Sequence, residues 1–77
     1  SFYIAREIKE KGQNFSKVLD LGCGMGVLSF YFPKTTQVVG VDLSSQAIAL
    51  ANFYKYFKNK SNISFLQGEV GSLSFNK

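Results

Sequence analysis

The sequence predicts an α/β fold with a doubly wound parallel sheet. Two observations carry that prediction. Two short apolar runs, Val18-Leu19-Asp20-Leu21 and Val38-Val39-Gly40-Val41-Asp42, lack the alternation of a half-exposed strand, as expected for strands buried on both faces. Between the second run and a third, Ile63-Ser64-Phe65-Leu66, lies a segment with apolar residues at spacings of three and four, Ala47, Leu50, Ala51, Tyr54 and Phe57. Strands joined by helical crossovers lie parallel and connect right-handedly.

Taken in order, residues 1–11 read as a helix. Ile4, Ile8 and Lys11 follow one face, Glu7 and Lys11 form an i, i+4 pair, and Gly12 is placed to stop the helix. Residues 13–17 read as a loop before the first strand, Val18 to Leu21. That strand runs into glycines on alternate positions, Gly22, Gly24 and Gly26, and then into Val27, Leu28, Phe30 and Tyr31 at helical spacing. A strand turning tightly into a short helix explains this order. Glycine accepts positive φ and lets backbone approach a ligand, and the free N–H groups of the following helix are expected to face the same spot. Pro33 ends that helix. In the second strand, the β-branched residues favour a strand and Gly40 marks a close approach of another backbone or a ligand. Ser44 or Ser45 caps the next helix. Residues 58–62 form a polar turn, Ile63 to Leu66 the third strand, and Gly68-Glu69-Val70 follows it. Residues 71–77 read as a loop.

Size and charge exclude several classes. A chain of 77 residues is one small domain at most. Its 45% hydrophobic content, with eight Phe and four Tyr, is not that of a disordered tail. No apolar run approaches the roughly 20 residues that a membrane span needs, and no secretory signal is visible. Opening on Ser1, the chain leaves room for an upstream segment. The single cysteine, Cys23, forms no internal disulfide, which fits a reducing, cytoplasmic setting. With no histidine, imidazole base chemistry is not available within this segment, and no metal site is expected. The net charge of +4 would tolerate nucleic acid. The cluster Lys55, Lys58 and Lys60 reads first as the solvated end of a helix, where lysines complement the dipole.

Three of the five acids, Asp20, Asp42 and Glu69, fall in or just past the ends of predicted strands. Asp42 lies twenty residues after Gly22. In a βαβ unit that sets a carboxylate beside the glycine turn, where it can accept hydrogen bonds from both hydroxyls of a ribose. Glu69, at the next strand end, is placed to accept from a purine amine. Asp20 lies inside the first strand and must be paired or hydrogen-bonded. Turn N–H groups or a cationic ligand group would satisfy it.

Val18-Leu19-Asp20-Leu21-Gly22-Cys23-Gly24-Met25-Gly26 resembles the first motif of class I S-adenosylmethionine-dependent methyltransferases. Val39-Gly40-Val41-Asp42-Leu43-Ser44 resembles their second, and Phe65-Leu66-Gln67-Gly68-Glu69-Val70 their third, which usually has Asp where this chain has Glu69. The three stand in family order across residues 15–75. The resemblance implies a Rossmann-like fold of seven strands, three of them present here. Residues 1–77 would then be the N-terminal, cofactor-binding portion of one methyltransferase domain, ending before the fourth strand. It implies S-adenosyl-L-methionine as cofactor. Asp20 and the loop Gly22, Cys23, Gly24 and Gly26 would hold its methionine part, Asp42 the ribose, Leu43 the adenine face, Glu69 the adenine amine, and Val70 the ring through its backbone. The acceptor is expected to be a small molecule, and no catalytic base is identified. In the family's sheet the first strand pairs with the fourth, so here its edge is expected to be bare and apolar, and the segment alone marginally stable and inactive.

Two other readings share the glycines and Asp42. An NAD(P)- or FAD-binding domain of an oxidoreductase carries G-x-G-x-x-G. Here the third glycine comes one residue earlier, and Asp20 and Glu69 have no role in that pattern. A non-catalytic cofactor-binding scaffold of the same fold is the other.

Overall fold

A computed structural model describes residues 2–10 and 12–69. It contains β1 (Phe2–Glu10), β2 (Gln13–Leu21), a 3₁₀ turn (Ser29–Tyr31), β3 (Thr36–Asp42), α1 (Ser45–Lys58) and β4 (Ile63–Gln67). The sheet order is β1-β2-β3-β4. β2, β3 and β4 are mutually parallel, and they contain the three strands read from the sequence. The connection from β3 to β4 runs through α1, as expected of a parallel pair.

The core follows from register. Val18 pairs with Val38, and Val38 with Ile63, so three apolar side chains form one row across the parallel strands. All three are buried, each worth about 1.5–3 kcal/mol relative to exposure. Ile48 and Ala51 of α1 join the same cluster with Phe65 and Cys23, and Phe30 and Phe32 pack against it. Phe30 meets Phe65 edge-on at 5.7 Å between ring centres. α1 begins where expected: Ser44 is its N-cap, and the Ala47 N–H donates to Ser44 Oγ at 3.1 Å. It ends at Asn59, which adopts left-handed backbone (φ +53°).

Two expectations are overturned. Residues 2–10 form a strand, not a helix, pairing antiparallel with β2 from Phe2↔Leu21 to Glu10↔Gln13. The sheet is therefore mixed, with four strands. Residues 13–17 belong to β2 rather than to a loop; Glu7 of the expected i, i+4 pair lies in a strand, and Lys11 lies outside the described residues. Gly12 ends no helix; it turns the hairpin, with φ +77°. The reason is a partner that local spacing cannot show. Ile4 and Ile8 fit a helix face, but β2 has an open edge one tight turn away, and a nine-residue ladder outweighs a weak local preference. β1 also covers the edge expected to be bare. The second correction concerns the helix after Gly26. It shrinks to one 3₁₀ turn, with Phe32 already extended before Pro33. The expected loop over residues 71–77 lies outside the described residues.

Candidate cofactor-binding site

The parallel strands β2 and β3 end side by side, at Leu21 and Asp42. The loop after β2 folds back over this edge. Gly22 and Cys23 both donate their N–H to the Val41 carbonyl, at 2.8 and 3.0 Å, and Gly26 donates to Cys23 at 2.9 Å. The Gly24 N–H donates to Asp42 Oδ2 at 2.9 Å, while the Ser44 N–H donates to Oδ1 at 2.9 Å. One carboxylate thus ties the loop to the start of α1. These two bonds, that of Ser44 first and that of Gly24 second, hold the Asp42 carboxyl below its ordinary range. Asp42 remains partly exposed, so ionised oxygens with unused lone pairs stand at the rim.

The glycines divide by role. Gly22 and Gly24 have positive φ, and an added Cβ would meet nothing within 4 Å. Their space is open toward an incoming group. Gly26 also has positive φ (+84°), but its Cβ would lie 2.5 Å from Phe65 Cζ. It is glycine for packing. Gly40 is glycine for the same reason: a Cβ there would lie 2.7 Å from Phe65 and 3.0 Å from Cys23 Sγ. The close approach expected at Gly40 is thus to side chains, not to a ligand.

Of the sequence-predicted residues, Gly22, Asp42, Leu43 and Glu69 line one cleft of about 410 Å³ with Val41 and Gly68. Its two walls are pinned by Gly68 N–H donating to the Asp42 carbonyl at 3.0 Å and Gln67 Nε2 donating to the Leu43 carbonyl at 3.2 Å. Gly24 reaches this cleft through Asp42. Leu43 is largely exposed. Cys23 is buried, with its sulfur near Gly40. Burial first, then the Asp20 and Asp42 charges, push its thiol up to about 11. It is a protonated thiol at neutral pH and no nucleophile. Asp20 is wholly buried beneath the loop. Val70 lies outside the described residues.

The partner that the chain itself supplies to Asp20 is a hydroxyl rather than a turn N–H. Ser29 Oγ donates to Asp20 Oδ2, with neither side chain exposed. Asp20 Oδ1, also buried, has no hydrogen-bond partner among the described residues. Ser29 was not singled out from sequence. The usable signal was the need of a carboxylate inside a strand for a donor, which a serine nine residues on can also meet.

The donors of Gly22, Cys23, Gly24 and Gly26 are bonded within the chain, and the helix expected to bring further N–H groups to the cradle is one 3₁₀ turn. The edge offers carboxylates instead, Asp42 and Glu69 at the rim and Asp20 beneath. Hydroxyls, amines and cations suit such a site; a pyrophosphate does not. Among the described residues, no group of three or more His, Cys, Asp or Glu could hold a metal ion.

A family model described as a methyltransferase domain matches residues 13–77. An uncharacterised methyltransferase, YcgJ of Bacillus subtilis, is 33% identical over 60 residues, 77% of this chain and 24% of that protein. PKMT2 from Rickettsia typhi, solved in complex with AdoHcy, superposes with a TM-score of 0.71 at 32% identity, over 78% of this chain and 12% of that one. The PH0226 protein from Pyrococcus horikoshii is 43% identical over 77% of this chain and 28% of its own, with a TM-score of 0.68. A parallel strand edge carrying a glycine turn, with a carboxylate at the end of the next strand, is the arrangement of nucleoside-cofactor domains. With these matches, the chain belongs to the class I S-adenosylmethionine-dependent methyltransferase family. It spans about a quarter of YcgJ and about an eighth of PKMT2.

Proposed function

We propose that this chain is a cofactor-binding portion of an S-adenosylmethionine-dependent methyltransferase domain, carrying three of the parallel strands on which its cofactor edge is built. The observation that carries the reading is the Asp42 carboxylate, held ionised between Gly24 and Ser44 at the mouth of a cleft that also holds Glu69. The residues fit the cofactor. The space above Gly22 and Gly24 admits a close-lying group that any Cβ would obstruct. The unpartnered buried oxygen of Asp20 suits an ammonium in the methionine part. Asp42 accepts from the ribose hydroxyls, Leu43 covers the adenine, and Glu69 accepts from its amine. Cys23 packs the loop onto β3 without chemistry of its own.

The cofactor supplies a methyl group already activated on sulfonium. The chain's residues bind and orient it, and the carboxylates favour a positive centre over a neutral one. We assign the acceptor as a small molecule, bound by parts of the protein outside this segment, and the setting as cytoplasmic. Turnover needs those parts. The oxidoreductase alternative is disfavoured, because a dinucleotide's pyrophosphate would meet carboxylates where it needs N–H donors.

The test is calorimetric titration of S-adenosylhomocysteine into the protein and its Asp42→Ala variant. Binding that weakens at least about tenfold in the variant, the loss of a charge-assisted hydrogen bond or more, supports the reading. A folded wild type that ignores S-adenosylhomocysteine and binds a nicotinamide dinucleotide would reverse it.

A further inference from the structure

α1 is apolar on two sides. Ile48 and Ala51 are buried toward the sheet. Leu50, Phe53, Tyr54 and Phe57, spaced by three and four, share another face. That face is open: Phe53 is 57% and Phe57 68% exposed, and neighbouring Tyr56 82%. The rings touch one another. Phe53 meets Phe57 edge-on at 4.9 Å between centres and Tyr54 at 5.8 Å, and Tyr56 meets Phe57 at 5.5 Å. An exposed aromatic face of this kind is normally covered.

Charge says what covers it. Between Asp42 and Glu69 the chain contains no acid and three bases, Lys55, Lys58 and Lys60. A second apolar cleft, of about 570 Å³, runs from Met25 and Tyr31 past Tyr54 to Lys58 and Lys60. Apolar surface therefore grades into a lysine cluster carried by a segment that contains no acid. A second copy would bring lysines against lysines. Single-stranded nucleic acid needs separated ring faces on which bases stack, and here the rings lie edge-on against each other on a convex helix. A fluid anionic interface needs neither slots nor fixed donors. It takes aromatic and aliphatic side chains into the headgroup boundary and lysines onto its phosphates.

We propose that the outward face of α1, with its flanking lysines, docks on the surface of an anionic phospholipid bilayer. This is peripheral attachment; no described helix is long and apolar enough to cross a membrane. It is independent of the cofactor reading, because none of these residues lines the Asp42 cleft.

The experiment is co-sedimentation with vesicles of phosphatidylcholine alone or with about one-third phosphatidylserine, at low and physiological salt. Expected is binding to the anionic vesicles that weakens with salt and is at least about tenfold poorer on neutral ones. Lys58→Glu should weaken it about fivefold or more. The double variant Phe53→Ser/Phe57→Ser should abolish it while the circular dichroism spectrum and S-adenosylhomocysteine affinity stay unchanged. Equal binding to neutral vesicles, or binding indifferent to both variants, overturns the proposal. So does a wild type that ignores vesicles. Two parallel measurements on the same variants name what replaces it: sedimentation velocity for a dimer that Phe53→Ser/Phe57→Ser dissociates, and anisotropy with oligo-uridylate for an RNA surface.

Discussion

Ser29 donates a hydrogen bond to the Asp20 carboxylate, with both side chains fully buried. The pair links the end of β2 to the 3₁₀ turn and so closes the base of the glycine loop. Asp42 closes its tip through Gly24. A loop fastened at both ends holds its shape before any ligand arrives, which lowers the ordering cost of binding. Ser29→Ala would leave the buried carboxylate with neither oxygen partnered among the described residues. The expected loss is about 1–3 kcal/mol, the desolvation penalty of an orphaned buried polar group. Urea denaturation followed by circular dichroism reads it. A variant as stable as wild type would show that the pair contributes nothing.

Gly24→Ala and Gly26→Ala should separate ligand space from packing. Both positions have positive φ, which costs an alanine about 1–2 kcal/mol. At Gly26 the added methyl also runs into the Phe65 ring, adding about 1–3 kcal/mol of overpacking. Thermal melts should therefore rank wild type above Gly24→Ala, and Gly24→Ala above Gly26→Ala. S-adenosylhomocysteine binding should fall in Gly24→Ala at temperatures where it is still folded. Phe65→Leu should recover part of the stability lost in Gly26→Ala, since it removes the ring. Equal melting of the two variants would refute the division.

The parallel strands and α1 were legible because their cause is local. β-branched runs, a serine cap and apolar spacing of three and four act within a few residues. Four site residues in one cleft were legible for a related reason. Parallel connectivity brings consecutive strand ends to the same edge, so Gly22, Asp42 and Glu69 meet there wherever the intervening helix packs. β1 was not legible, because its strand state depends on pairing with β2 rather than on its own residues. Nor was Ser29, whose role exists only once the loop has folded back over Asp20. The Gly24 donor is a like case: it goes to the Asp42 carboxylate, 18 residues along the chain, once the loop has folded back.

Acid should loosen the site. The carboxyl of Asp42 is held below its ordinary range in the folded chain by the Ser44 and Gly24 N–H groups. The folded state thus binds that proton less tightly than the unfolded state. The stabilisation it brings is complete above the unfolded carboxylate pKa, about 3.9. It is lost as pH falls through the lower folded value. Denaturant midpoints measured from pH 6 downward should drop below about pH 4, and Asp42→Asn should flatten part of that drop. An Asp42→Asn profile that retains the whole acid slope would mean that other carboxyls carry it.

Cys23 should behave as an inert packing residue with an alkaline signature. Burial, with the Asp20 and Asp42 charges behind it, raises its thiol to about 11, above the about 8.5 of an unfolded cysteine. The folded state holds that proton more tightly. The resulting stabilisation is present below about pH 8.5 and is lost as pH rises toward 11. Two outcomes follow. Iodoacetamide at neutral pH should label the urea-unfolded chain readily and the folded chain at least about tenfold more slowly, since the thiolate is the reactive form. Cys23→Ser should blunt the loss of stability between pH 9 and 11 relative to wild type, because a serine hydroxyl does not titrate there. Rapid labelling of the folded chain would instead place an accessible thiolate in the loop, and with it a chemistry that the buried sulfur beside Gly40 does not allow.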